Sequence, residues 1–244
     1  MSGPGTVLGS AAGPEADAPA DQGAEAPTDP GAGLAGDLGG DWDGLPGDDR
    51  GGKLRDRASG MAVDEMLRLK EMHLAPYIQL ATALIGKPRR SGGNMFRHQI
   101  DTFGILMDYG YIDSPLLKAS VIHDLLEDVP GFDRDLILEI EEEAADVYKL
   151  VLEVTRRPIE TKVEFLTRIR DFGSEKARVL KSADRISNMI SLGYVTDVQF
   201  VRRYTDETEA LIFPIAELAD RRMLDELRTL VDTRREYLAR RFEI

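Results

Sequence analysis

An all-α fold is the class this sequence predicts, on three observations. Apolar residues recur three and four positions apart from about Met61 to the C-terminus, the stripe of an amphipathic helix. The interruptions fall at Gly, Pro and capping residues, which are helix punctuation. No run shows the alternating, β-branched pattern of a strand. Residues 61–244 are read as one helical domain, long enough to bury roughly 70% of its unfolded surface. There is no internal repeat.

Residues 1–60 differ in kind. The first 49 residues hold ten Asp and Glu and no Lys or Arg, so most of the formal charge of −13 lies there. Gly, Pro and Ala fill the gaps, and such a composition buries too little apolar surface to fold. This segment is therefore expected to be a disordered acidic tail. Its Asp41-Trp42-Asp43 holds the single Trp and could serve as a short docking motif. An acidic tail repels phosphate and argues against nonspecific nucleic-acid binding. The chain has no Cys, which excludes a disulfide framework and a thiolate zinc site. With no basic-then-apolar leader and no apolar run of membrane-spanning length, the expectation is a soluble, cytoplasmic protein with no membrane partner.

The helical elements follow in order. Met61, Met66, Leu67, Leu69, Leu74, Ile78, Leu80, Leu84 and Ile85 predict a helical stretch that stops at Gly86-Lys87-Pro88. A basic loop follows, with Lys87, Arg89, Arg90 and Ser91 ahead of Gly92-Gly93. Helix resumes near Asn94, carries His98, Phe103 and Leu106, and breaks around Gly110. Asp113-Ser114-Pro115 is a cap followed by an early Pro, and the helix it starts is expected to run through Val121 to Asp128. A further helix spans about Asp133 to Val154 and ends at Arg156-Arg157-Pro158. Another runs from near Glu160 to Phe172-Gly173. Ser174 caps the next, which ends at Gly193. Two long helices finish the chain, divided near Pro214 or Ala219-Asp220.

His123-Asp124-Leu125-Leu126-Glu127-Asp128 is the densest functional stretch. On a helix, Glu127 lies four residues after His123 and three after Asp124, so the three share a face beside packed apolar residues. Crowded carboxylates there repel one another and desolvate badly, and a bound cation would resolve both. A solvated acidic helix face with one incidental His fits the stretch equally well. Asp184 and Asn188 are four apart on a later helix, with Ser191 near the next turn, and Lys181 precedes them by three. Three His occur in all. His73, among charged neighbours, reads as a surface residue, and His98 alone could be a capping or core His.

Taken together, His98, His123-Asp124 and Asp184 follow the H…HD…D order of the HD phosphohydrolase superfamily. The chain resembles in particular the hydrolase domain of the RelA/SpoT homologue family. Its HDxxED stands here as His123 to Asp128. Its LADRxxN stands as Ser182 to Asn188, departing at Ser182. Its G…RKSG loop is matched by Gly86, Arg89, Arg90, Ser91 and Gly92, and its late ET…APIA segment by Glu207-Thr208 and Phe213 to Ala216. The similarity covers about residues 76 to 230. Gln99 stands where the family has Pro, and Ile190 where it has Arg. The resemblance implies an HD-domain helical bundle without the synthetase domain of longer members.

It also implies metal-dependent hydrolysis of the 3′-pyrophosphate of guanosine tetra- or pentaphosphate, (p)ppGpp. His98, His123, Asp124 and Asp184 would hold Mn²⁺, with Mg²⁺ or Fe²⁺ possible. Glu127 and Asp128 would orient water and carry its proton. Lys87, Arg89, Arg90, Ser91, Asn188 and Ser191 would bind the nucleotide, since Arg forks match phosphate. For Lys87, Arg89 and Arg90 alone, an ordinary solvated basic loop is the plain alternative. Two other functions stay open at the level of sequence: hydrolysis of a different nucleotide, NADPH included, and a noncatalytic alarmone-binding module.

Overall fold

The computed structural model describes residue 65 and residues 67–242. The expected acidic tail, residues 1–60, and its Trp42 motif lie outside the described residues. Within them the chain is helical throughout, as the periodicity predicts. After a helical segment over residues 67–71, the helices are α1 (Ala75–Ala81), α2 (Met95–Asp108), α3 (Ser114–Ile122), α4 (Leu125–Asp128), α5 (Asp135–Leu138), α6 (Ala144–Val154), α7 (Lys162–Phe172), α8 (Glu175–Ser191), α9 (Val198–Glu207), α10 (Phe213–Ala219) and α11 (Arg221–Phe242).

The caps predicted at Asp113 and Ser174 form, and Asn94 caps α2 as well. Asn94 accepts from the Arg97 N–H, Asp113 from Leu116, and Ser174 from Ala177, each satisfying a donor that the first helical turn leaves free. Thr161 and Glu164 make a reciprocal capping box at the start of α7.

Helix α8 is the axis of the bundle. Its Val179, Leu180, Ala183, Ile186 and Met189 are buried. It packs against α2, α6, α10 and α11. Helix α3 is sheathed by α1, α2 and α6, and every residue from Leu116 to Ile122 is buried. A helix apolar all round belongs inside. Ser120 and Lys118 are the polar residues of that buried stretch, and the Lys118 ammonium lies 2.6 Å from Glu141 and 2.7 Å from Glu143. A buried cation persists only when paired in this way.

Four boundaries differ from the sequence reading. The stretch into Ile85 is interrupted at residues 72–74, and Pro76 opens a new helix, because Pro fits only the first turn. The helix expected over 133–154 is two, α5 and α6, separated by residues 139–143. Before Pro214 the chain widens into a π turn, Thr208–Ile212, where the missing proline N–H breaks the regular ladder. The division between α10 and α11 does fall where the sequence reading offered it, at an extended Asp220.

The fourth difference matters most. Val121 to Asp128 is not one helix: α3 ends at Ile122 and α4 begins at Leu125. The Ser120 carbonyl, which a continuous helix would give to the Asp124 N–H, takes the Nδ1 of His123 at 2.7 Å. The Asp124 N–H turns to Gln99 Oε1 at 3.4 Å. Asp124 sits at φ −94°, ψ 0°, the sparsely populated bridge between helix and sheet regions. The expected common face of His123, Asp124 and Glu127 therefore does not exist.

Candidate metal centre and its basic rim

Three elements bring the four expected ligands together. Helix α2 presents His98, the α3–α4 break presents His123 and Asp124, and α8 presents Asp184. His98, His123 and Asp124 offer ligand atoms that all lie within 4.8 Å of one another. Asp124 Oδ2 is 3.3 Å from His123 Nε2 and 3.6 Å from His98 Nε2. Asp184 lies outside that mutually close trio, but its Oδ1 stands 3.0 Å from His98 Nε2 and 3.9 Å from His123 Nε2. The two imidazoles meet edge to face, centroids 5.3 Å apart. Both are almost wholly buried, as is Asp184.

The outer ring nitrogens are anchored. His98 Nδ1 meets Ser187 Oγ at 2.9 Å, and His123 Nδ1 meets the Ser120 carbonyl. Anchoring one nitrogen frees the other and fixes the ring plane, as metal-binding imidazoles require. His123 Nε2 is then the only buried side-chain nitrogen or oxygen among the described residues with no hydrogen-bond partner. Buried polar atoms are nearly always satisfied. This one faces Asp124 and Asp184 without bonding either.

Charge explains the rest of the arrangement. Burial disfavours a charged His123, but Asp124 and Asp184 outweigh it and push the imidazole up to about 9. Burial would likewise raise the Asp184 carboxyl, yet the Lys181 ammonium and both imidazoles hold it well below the usual carboxylate range. Lys181 Nζ is 2.7 Å from Asp184 Oδ2. Its own ammonium is pushed up by Asp184 and Asp124 against the opposing effect of burial. The three-residue spacing of Lys181 and Asp184 puts both on one face of α8. That spacing is visible in the sequence, but the burial that makes the pair matter is not.

Asn188 links the cluster to the basic loop. Its amide donates to Asp184 Oδ1 at 2.6 Å, and its oxygen accepts from Arg89 at 2.8 Å. Arg89 also reaches Ser191 Oγ at 3.3 Å. A single antiparallel bridge between Pro88 and Asn94 closes the loop, with Gly92 and Gly93 at positive φ. Arg90 lies over the Phe200 ring, 4.5 Å from its centroid. Arg89, Arg90, Ser91, Asn188, Phe200 and Tyr204 are among the residues lining a cavity of about 250 Å³.

The remaining expected residues lie nearby but face elsewhere. Lys87 contacts both the carboxylate and the carbonyl of Asp128, each at 2.6 Å. Glu127 accepts the backbone N–H of Arg156. Arg185, next to Asp184, turns away to Glu207 and Thr208, both at 2.9 Å, and under the Tyr204 ring. His73 is exposed, 3.8 Å from Glu141, and takes no part.

Sequence reasoning missed three supporting residues: Gln99, Ser187 and Phe200. No protein-family model and no curated protein matches this chain.

Proposed function

We propose that this protein is a metal-dependent phosphohydrolase of the HD type, acting on the 3′-pyrophosphate of (p)ppGpp. The observation that carries the reading is the buried meeting of His98, His123, Asp124 and Asp184, with His123 Nε2 left without a partner. Two imidazoles and two carboxylates form a mixed nitrogen–oxygen set suited to Mn²⁺, and Mg²⁺ or Fe²⁺ suit it too. Such an ion supplies positive charge to a phosphate oxygen and acidifies a neighbouring water.

The chain's own residues do the rest. Arg89 and Arg90 offer guanidiniums to a multiply phosphorylated nucleotide, and the Arg90–Phe200 pair offers flat surfaces to a base. Ser91, Asn188 and Ser191 line the same side with hydroxyl and amide groups. Lys87 couples this rim to Asp128. Glu127 and Asp128, on the short α4 directly after the ligand pair, orient water and carry its proton. Hydrolysis adds water at the phosphorus beside the 3′ oxygen and breaks the bond between them. The 3′ oxygen leaves with a proton, giving pyrophosphate and a guanosine 5′-di- or triphosphate.

The test is a substrate panel of ppGpp, pppGpp, NADPH and simple nucleotides with Mn²⁺, following pyrophosphate or phosphate release. Pyrophosphate from ppGpp or pppGpp, abolished in Asp184→Asn, is the expected result. Turnover of NADPH or another nucleotide alone would keep the chemistry and replace the substrate. Binding of ppGpp without any product would make the protein a regulatory module.

A further inference from the structure

Gln99 is fully buried in α2, directly after His98. A buried primary amide carries two N–H donors and an acceptor that must be satisfied inside the protein. Both ends of this one go to a single residue. Its Nε2 donates to Asp124 Oδ2 at 2.9 Å, and its Oε1 accepts from the Asp124 N–H, a longer contact of 3.4 Å. Only an oxygen can accept that backbone proton, so the orientation of the amide is settled by its partners.

The bonded oxygen is the one that matters for the site. Asp124 Oδ2 is also the atom 3.3 Å from His123 Nε2 and 3.6 Å from His98 Nε2. The bonded N–H is the one displaced from the helix ladder at the α3–α4 break. Gln99 thus holds Asp124 at two points, main chain and side chain, where the backbone has left its regular path. A carboxylate on such a break has little else to choose its rotamer. It is also partly exposed, unlike the deeply buried Asp184 with its Lys181 and Asn188 partners.

We propose that Gln99 is a positioning residue, fixing Asp124 Oδ2 toward the two imidazoles and so raising the affinity of the site for a divalent cation. The proposal rests on the metal reading above. It is particular to this chain, because the Pro of the resembling family could make neither bond. Proline is also a poor test substitution here, since residue 99 lies in the fifth position of α2 and its N–H belongs to the helix ladder.

The test is titration of the full-length protein with Mn²⁺ alone, by calorimetry, in wild type, Gln99→Met and His98→Ala. Met keeps the length and volume of the side chain and loses both hydrogen bonds. Expected is a Kd for Mn²⁺ weakened about 10- to 100-fold in Gln99→Met, the range for supporting contacts around metal ligands, with stoichiometry unchanged. A Gln99→Met protein that melts at a lower temperature but binds Mn²⁺ as wild type does would overturn the proposal, because the amide would then serve packing alone. If Gln99→Met lacks a melting transition, Gln99→Asn, one methylene too short for the clamp, is read in the same way. Failure of wild type to bind Mn²⁺, or equal binding by His98→Ala, would overturn the metal reading and this proposal together. Weakening in His98→Ala but not in Gln99→Met overturns this proposal alone.

Discussion

At the scale of single residues, His123 shows how a side chain can redirect a backbone. Its ring takes the carbonyl that would have continued α3, and the chain leaves the helix at the point where Asp124 must turn inward. Glu127 and Asp128, consecutive on α4, point apart, one at the Arg156 N–H and the other at Lys87. In the proposed reaction these two carboxylates serve water and proton rather than the ion. Replacing either by its amide, Glu127→Gln or Asp128→Asn, is expected to lower kcat by about 10²- to 10⁴-fold, the usual contribution of a positioned acid or base. Mn²⁺ affinity measured by calorimetry should stay within a few-fold of wild type. Unchanged turnover would remove the assigned roles, and lost Mn²⁺ binding would make them ligands instead. That His98, His123, Asp124 and Asp184 come together was expected from the resemblance of their order to a family pattern, since His98 or Asp184 taken alone carries no such signal. The supporting roles of Gln99 and Ser187 were not legible. Nothing local distinguishes a Gln or Ser that tertiary packing buries from one that faces water.

At the scale of elements, α8 carries both the core and the site. Val179, Leu180, Ala183 and Ile186 face the bundle, while Lys181, Asp184, Ser187, Asn188 and Ser191 form the polar stripe. Its start was legible because a Ser before an acidic first turn is a cap signal, and Ser174 does accept from Ala177. The breaks at 72–74 and 123–124 were harder to read. The first hinged on one Pro inside an otherwise helical pattern, and the second on His123 taking the Ser120 carbonyl while Gln99, from a different helix, accepts the Asp124 N–H. Because α8 delivers Asp184, its stability sets the stability of the site. Ser174→Ala should destabilise the fold by about 1 kcal/mol, the usual loss for an exposed N-cap. Urea unfolding would show the midpoint falling with the slope unchanged. Metal affinity should hold, since the cap lies more than two turns before Asp184.

At the scale of the whole molecule, the helices are tied by ion pairs as well as by apolar packing. Lys118 joins α3 to the segment before α6, and Arg185 joins α8 to the end of α9. Their carboxylate partners respond to pH. Burial opposes ionisation of Glu207, but Lys162 and Arg185 prevail and hold it below its ordinary range. Glu141 is held low in the same sense, burial being outweighed by Lys118 and Tyr77. A carboxyl whose folded-state pKa is depressed stabilises the fold above its unfolded value, near 4.5 for both groups. That stabilisation fades as pH falls through the lower folded value. The melting temperature should therefore drop below pH 4.5. Glu207→Gln should flatten part of that decline, because the residue that titrates is gone. At pH 7 the same substitution leaves the buried Arg185 guanidinium without its carboxylate. Glu207 is itself partly exposed, so the destabilisation should be about 2 kcal/mol, below that of breaking a fully buried pair. Thermal melts of wild type and Glu207→Gln from pH 3 to 8 give both quantities. Parallel pH profiles would mean that the Arg185–Glu207 pair contributes nothing to acid sensitivity, and the decline would then belong to carboxylates elsewhere.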